Sequence, residues 1–255
     1  MKGALAVATN TFRENRRDRI LYVLVLFAAL MILAGVVVGE LSPFEQGKIL
    51  LDLGQSAMFL VGSMIAIFLG VGLVSREIER RTVYSILSKP VSRAQFLLGK
   101  VLGLTTTLTA ALAVMAATLA LVCVAYGLAP GWPLVESVLL IWVELVLLTS
   151  LAVTFASFSS TTLAAMFSFA CWIIGQVVGD LKQIAANTSS APTRTLLELI
   201  YWIAPDLSLF NVTSKASYGI AVPAGQLATT IGYGLLYTAA LLCLASALFS
   251  RRDLK

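Results

Sequence analysis

The sequence predicts an all-α membrane protein with six transmembrane helices and an N-terminal amphipathic helix in the membrane interface. Hydrophobic residues fill 59% of its 255 positions and charged residues only 12%, whereas charged residues make up about 25% of an average soluble protein. Apolar runs long enough to span a bilayer, about 20 residues each, recur along the whole chain. The segments between them are too short for a soluble domain, so a single transmembrane domain is expected.

Residues 1–19 place Leu5 and Phe12 on one side of a helix and arginines on the other. This pattern is typical of a helix lying on the membrane with its basic face toward anionic lipid. The predicted transmembrane spans are residues 20–39, 53–75, 101–126, 134–157, 162–180 and 226–249. Residues 76–100 form a charged segment between spans two and three, and residues 181–225 form the longest polar connection.

The boundaries of spans three, four and five follow from turn signals inside two long uncharged runs. Residues 101–135 are too many for one helix, and glycine and proline are the residues that break such a run. They stand here at Gly127, Pro130, Gly131 and Pro133. The polar sequence FSSTT at residues 158–162 is the expected turn between spans four and five. In the long connection, LLELIYWIAP predicts a short helix at the membrane surface.

The basic residues indicate the orientation of the bundle. Six spans place both termini on the same side as residues 76–100, and that side carries fourteen of the eighteen Lys and Arg residues. Because cytoplasmic loops carry the excess of positive charge in membrane proteins, both termini are predicted to be cytoplasmic. The net charge of +5 is therefore an orientation signal, and no nucleic-acid partner is expected.

The residues that the chain lacks exclude several kinds of active site. With no histidine and only three widely separated cysteines, neither a histidine-dependent dyad nor a metal site is predicted. Gly99-Lys100 is not a P-loop, because Ala94 stands where the motif needs its first glycine and no Ser or Thr follows the lysine. The chain itself is not expected to bind a cofactor or to hydrolyse ATP.

Apart from Asp180, at the last position of span five, Glu136 and Glu144 are the only acidic residues inside the predicted spans. Glu136 lies at the start of span four, where a solvated helix end is the favoured interpretation. Glu144 lies ten residues beyond Leu134, about 15 Å deep at 1.5 Å per residue, where an ionised carboxylate is costly. We expect Glu144 to be protonated, hydrogen-bonded or beside a water-filled path, with Gln176 as its candidate partner. A packed structural role and a place in a translocation path fit the sequence equally well.

Small and hydroxyl-bearing residues predict close helix packing in spans two and three. The four threonines within residues 105–109 are expected to hydrogen-bond a neighbouring helix, with a polar vestibule as the alternative. Gly62, Gly70 and Gly72 permit close approach of another helix, and packing in a dimer and a functional role fit these glycines equally well.

Residues 75–100, SREIERRTVYSILSKPVSRAQFLLGK, are the one long charged stretch between apolar ones. Opposite the charges runs an apolar stripe that predicts an amphipathic helix, formed by Ile78, Val83, Ile86 and Leu87. Pro90 ends this helix, because proline lacks the amide hydrogen and restricts the residue before it. The stretch is either a solvated loop or an element that docks to another protein, and the helical pattern favours docking.

The same stretch resembles the signature region of ABC-2 type transporter permeases, an acidic, threonine-containing helix before an element similar to PxxR…QxLLGK. The matching residues are Glu77, Glu79, Thr82, Pro90, Val91, Arg93, Gln95, Leu97, Leu98, Gly99 and Lys100. Where the family often has glycine before the threonine, this chain has Arg81. Within the family, the chain looks most like the group that includes the permease of the nitrous oxide reductase maturation (copper-processing) transporter.

The resemblance implies that the charged segment is a cytoplasmic coupling helix seated in a separate P-loop ATPase, which binds ATP and Mg. The implied coupling residues are Arg76, Glu77, Glu79, Arg80, Arg81, Thr82, Pro90 and Arg93. The expected complex is an exporter in the bacterial cytoplasmic membrane, with two permease copies and two ATPase copies. An extracytoplasmic accessory protein on the 181–225 connection is a further partner that the resemblance allows.

A membrane anchor or assembly factor for an ATPase complex, without solute transport, is the alternative function. An intramembrane hydrolase is disfavoured, because neither a histidine nor a lysine inside a span is present to activate Ser63. The cargo is not predicted, since the six methionines are scattered and form no copper-binding ladder.

Overall fold

The computed structural model describes residues 20–41, 45–79, 93–188 and 190–251, together with Thr9. In this part of the chain every regular element is a helix. The helices are α1 (Ile20–Leu41), α2 (Gln46–Glu79), α3 (Arg93–Ala125), α4 (Trp132–Phe158), α5 (Thr161–Asn187), α6 (Ala191–Ile203), α7 (Thr213–Ser217) and α8 (Ala224–Arg251), with a 3-10 turn at Ser208–Phe210.

Five of the described helices, α2, α3, α4, α5 and α8, are long and apolar enough to cross a membrane. The chain is therefore a multi-pass membrane protein. Of α1, the apolar part whose side chains are described is Tyr22–Val38, so the sixth span stays a prediction. The interfacial helix predicted for residues 1–19 lies outside the described residues except for Thr9.

The turns predicted from glycine, proline and serine are confirmed. α3 ends at Ala125 and α4 begins at Trp132, and between them Gly127 adopts a φ of 75°, a conformation that glycine reaches without a Cβ clash. Ser159 and Ser160 separate α4 from α5. Two helices extend beyond the predicted spans: α2 begins before residue 53 and α5 continues past residue 180. The reason is that helices extend past the hydrocarbon layer into polar surroundings.

Contacts between glycines and facing residues show that α2 and α4 run parallel. Gly62 of α2 packs against the Leu145 side chain, and Gly70, eight residues later, packs against Ala152. A Cβ at position 70 would lie 2.7 Å from the Ala152 Cβ and 3.0 Å from the Thr149 carbonyl oxygen. The close approach predicted for these glycines therefore occurs within one chain.

The remaining helices alternate in direction around that pair. Gly54, early in α2, packs against Leu119, late in α3, so α3 runs opposite to α2. α8 runs parallel to α4, because Gly234 packs on Val143 and Thr154 donates a hydrogen bond to the Leu241 carbonyl oxygen further along both helices. We call the end where α2, α4 and α8 begin the outer end, following the predicted orientation, and the opposite end the inner end.

Helix α4 is the centre of the bundle, in contact with α2, α3, α5 and α8. In its apolar 18-residue stretch 78% of the residues are buried, compared with 22% in α5 and 17% in α8. The most exposed long helices present apolar side chains outward, as lipid-facing helices do. The glutamates and hydroxyl-bearing side chains of α4 are all buried: Glu136, Ser137, Glu144, Thr149, Ser150, Thr154 and Ser157.

The connection between α5 and α8 enters the bundle. The predicted short helix is present as α6, with Trp202 82% exposed. After it the Leu207 amide donates a 2.9 Å hydrogen bond to the Gly175 carbonyl oxygen, twelve residues from the end of α5, or about 18 Å along the helix axis. Leu207 and Phe210 are fully buried. The part of the connection after α6 thus reaches about half-way down the bundle.

Candidate functional site

Glu144 is fully buried in the middle of α4. Its Oε1 accepts a 2.9 Å hydrogen bond from Gln176 Nε2 on α5. The structure thus brings together the two residues that the sequence singled out for the translocation path. Twelve residues separate Glu144 from the start of α4, a depth of about 18 Å, so the pair lies well inside the apolar layer.

Helix α2 meets α4 and α5 at the same depth. Gly62 packs on Leu145, the neighbour of Glu144, and the Phe59 ring lies 6.0 Å from the Trp172 ring on α5. Ser63 follows Gly62, and Trp172 lies one helical turn before Gln176. Helices α2, α4 and α5 therefore meet at the level of Glu144.

Seven buried side-chain polar atoms on α2, α4, α5 and α8 have no hydrogen-bond partner among the described residues. They are Glu144 Oε2, Ser63 Oγ, Trp172 Nε1, Ser137 Oγ, Thr238 Oγ1 and both side-chain polar atoms of Gln55. Gln55 is seven residues before Gly62 and Ser137 is seven before Glu144, so each lies two turns outward on the same helix face. We call Gln55, Ser63, Ser137, Glu144, Trp172 and Gln176 the polar column.

Buried polar groups in proteins almost always have a hydrogen-bond partner. The unpaired donors and acceptors of the polar column therefore indicate a place for hydrogen-bonding molecules. In the described residues no group of three His, Cys, Asp or Glu side chains is placed to hold a metal ion. Sequence reasoning missed Gln55 and Ser137, and it considered Ser63 only as a nucleophile that no neighbouring base activates. The available signal was Gln55, the only amide residue in the apolar run 53–75.

The interpretation of Glu136 as a solvated helix start is wrong. Glu136 is 6% exposed, and its Oε2 accepts a 2.7 Å hydrogen bond from the Val222 amide. Val222 lies in the connection that precedes α8, so this carboxylate ties the end of the connection to the central helix. Nearby, Ser217 of α7 lies 3.5 Å from Asp52 of α2.

The threonines within residues 105–109 mostly bond their own helix instead of a neighbour. Thr105, Thr106 and Thr107 donate to carbonyl oxygens three or four residues earlier. Thr109 contacts a neighbouring helix, since its Oγ1 accepts a 2.8 Å hydrogen bond from Trp142 Nε1 on α4. The prediction of helix–helix hydrogen bonds therefore holds for one of the four.

The predicted coupling residues lie at the edge of the described chain. α2 continues without a break to Glu79, so the backbone of Arg76, Glu77 and Glu79 belongs to the same helix as Gly62, and Arg93 begins α3. The side chains of these four residues are not described. Arg80, Arg81, Thr82 and Pro90 lie outside the described residues.

A family model described as ABC-2 family transporter protein matches residues 5–254. The chain belongs to the ABC-2 transporter family. No curated protein matches it. Members of this family are membrane components of transporters, are not themselves catalytic and work with an ABC ATPase.

Proposed function

We propose that this chain is the permease subunit of an ATP-driven exporter, working as a homodimer with two separate ATPase subunits. The family match over residues 5–254 carries the proposal. Residues 1–255 contain no P-loop motif, which supports a separate ATPase. In this arrangement ATP and Mg bind to the partner, and α1 is the sixth span, which places both termini in the cytoplasm of a bacterial cell.

The docking element proposed for the ATPase is the basic segment between α2 and α3. α2 ends and α3 begins at the inner end of the bundle, the same end as the α4–α5 turn. Because α2 is one continuous helix from Gln46 to Glu79, a push on its inner end moves the surface at Gly62 and Gly70 that packs on α4. ATP-driven closure of the partner subunits is thereby transmitted to the central helix.

Glu144 and Gln176 are the residues that we propose for the translocation path. Their hydrogen bond, at the depth where α2, α4 and α5 meet, supports this role. A rearrangement of α2 against α4 alters the surroundings of this pair directly. The connection that carries α6 and α7 is the proposed outer surface for an accessory protein, and membership of the nitrous oxide reductase maturation group remains part of the proposal.

The first test is purification of the complex in mild detergent from the native host, followed by intact-mass analysis and an ATPase assay. Two copies of this chain with two copies of a P-loop protein are expected. Replacement of Glu79 and Arg80 by alanine should release the ATPase. The matched control replaces Glu45 and Lys48, an exposed 3.6 Å ion pair at the outer end, and should leave the complex intact. A lone chain without an ATP-binding partner would overturn the proposal.

The second test separates a permease from a membrane anchor. Both dock the ATPase through the same basic segment, but only a permease needs the interior of the bundle. Glu144→Gln keeps the size and hydrogen-bonding capacity of the side chain. In cells that depend on this chain, the variant should assemble with the ATPase and lose function. Full function of the variant would favour the anchor.

A further inference from the structure

The polar column extends from Glu144 toward the outer end of the bundle. α2 and α4 run parallel, with Gly62 opposite Leu145. Seven residues earlier on each helix, position 55 therefore lies opposite position 138, beside Ser137. Gln55 and Ser137 are both fully buried and stand about 10 Å nearer to the outer end than Glu144. Polar groups thus occur at two levels along one helix seam.

No cation in the described part of the chain is placed to neutralise Glu144. The charged or titratable side chains on the elements packed against α4 include Asp52 on α2, Lys100 and Cys123 on α3, Glu136 on α4 itself, Cys171 and Asp180 on α5, Asp206 in the connection, Lys215 on α7, and Tyr233 and Tyr237 on α8. Lys100 lies nine residues toward the inner end from Thr109, the α3 residue that bonds α4 beside Glu144. Lys215 bonds Gln226 at the outer end.

A carboxylate buried without a countercharge is strongly unfavourable, and it becomes neutral by binding a proton. Gln176 supplies one hydrogen bond, to Oε1, and Oε2 is left without a partner in the described residues. A carboxylic acid carries its proton on one oxygen and donates it to an acceptor. Oε2 is therefore the position for a proton that is donated along the column.

The chemistry of the column suits water better than a metal cation. Gln55, Ser63 and Ser137 can each donate and accept hydrogen bonds, and Trp172 Nε1 only donates. An N–H donor repels a cation, whereas a buried water molecule typically makes two to four hydrogen bonds to such mixed groups. Ordered water in the column would supply partners for the unpaired donors and acceptors and would connect Glu144 Oε2 to the level of Ser137.

We propose that Glu144 is a proton-binding site that exchanges its proton with the outer solvent through ordered water held by Gln55 and Ser137. The O–H bond at Glu144 Oε2 breaks as an O–H bond forms on the adjacent water, and each water in turn accepts one proton and passes another toward the outer solvent. A proton from the solvent returns through the same waters and re-forms the O–H bond at Glu144, so the carboxyl group ends neutral and no electron is transferred. The proposal is independent of the permease function, because it concerns exchange in the resting protein.

The test is infrared spectroscopy of the purified chain in lipid nanodiscs, with transfer from H2O to D2O. A protonated Glu144 gives a carboxylic acid carbonyl band that is absent in Glu144→Gln and that shifts on deuteration. Labelling all glutamates with 13C in the wild-type chain identifies a glutamate band without any substitution, in case Glu144→Gln does not fold. The expected result is a glutamate carboxylic acid band in the wild type that shifts after the transfer from H2O to D2O.

Variants of the column then locate the route. Gln55→Leu and Ser137→Ala should each slow the deuterium shift about tenfold or more, because each removes groups that hold the water. Ser168→Ala is the matched control, since Ser168 is equally buried but bonds the Ala164 carbonyl oxygen of its own helix; its exchange should equal that of the wild type. The proposal is overturned if the wild type has no acid band, or if Gln55→Leu and Ser137→Ala exchange as fast as Ser168→Ala.

Discussion

The outer turn of α4 and its middle each bury a glutamate, and the two glutamates are held in different ways. At the outer turn, Glu136 accepts a hydrogen bond from a backbone amide, that of Val222. In the middle, Glu144 is bonded through one oxygen by the Gln176 side chain, and its other oxygen has no partner among the described residues. A backbone amide has a fixed position, whereas a side chain can rotate away. The first arrangement suits a carboxylate that fastens a segment of the chain, and the second suits a carboxyl group that exchanges its proton.

The largest effect that distinguishes the two sites is expected from Glu136→Ala. Removal of the carboxylate leaves the Val222 amide buried without an acceptor, which should destabilise the protein by about 2–3 kcal/mol. Glu136→Gln keeps an acceptor oxygen and should lose less than half as much. Thermal unfolding in one detergent measures both, with the exposed Glu45→Ala as control. Equal melting temperatures for Glu136→Ala and the wild type would show that this carboxylate does not fasten the connection.

The packing around α4 is tested by a matched pair of glycine substitutions. Gly70→Ala places a Cβ 2.7 Å from Ala152 and 3.0 Å from a carbonyl oxygen, and overpacking of this kind should cost about 1–3 kcal/mol. Gly232→Ala on α8 meets no atom within 4 Å and should stabilise the helix by up to about 1 kcal/mol. Thermal unfolding measures the stability of both variants. A loss of stability in Gly232→Ala as large as that in Gly70→Ala would contradict the central position of α4.

The hydrogen bond between Glu144 and Gln176 is measured by a double-mutant cycle. Gln176→Leu leaves Oε1 unpaired and should destabilise the protein by about 1 kcal/mol. Adding Glu144→Leu removes the remaining polar partner and should recover most of that loss, so the two changes should not be additive. Additive effects would mean that the 2.9 Å contact contributes little, and that the middle of α4 is held by apolar packing alone.

The smallest effect is expected where α3 meets α4. Trp142→Phe removes the indole N–H that donates to Thr109 Oγ1 and keeps most of the ring, so a loss of about 0.5–1 kcal/mol is expected. Trp132→Phe, at a side chain that is 69% exposed, is the control and should be neutral. If both variants melt at the wild-type temperature, this hydrogen bond does not stabilise the α3–α4 contact.

Local signals in the sequence were sufficient for the turns and for one part of the site. Gly127 and the serines at 159 and 160 mark helix ends because their backbone or side-chain chemistry acts within a few residues. Glu144 was recognisable because a carboxyl group stands out in an apolar run, and Gln176 because an amide lies at a matching depth. These inferences needed only helix geometry.

Long-range contacts decided what the sequence did not show. Glu136 is buried by a residue 86 positions away, Val222. The connection enters the bundle because its amides find acceptors in other helices, as Asp206 does at the Tyr233 hydroxyl. Neither partner has a local pattern that announces the contact.

Composition and hydropathy are enough to identify a helical membrane protein, and the motif of residues 75–100 shows which family the chain resembles. Which helix lies at the centre depends on the packing between helices. The apolar stretches of α4 and α8 have mean hydropathies of 2.3 and 1.8, yet 78% of the first and 17% of the second are buried. The physical reason is that lipid tails are as apolar as a protein core. Hydropathy therefore shows that a helix leaves water, and packing alone determines whether protein or lipid surrounds it.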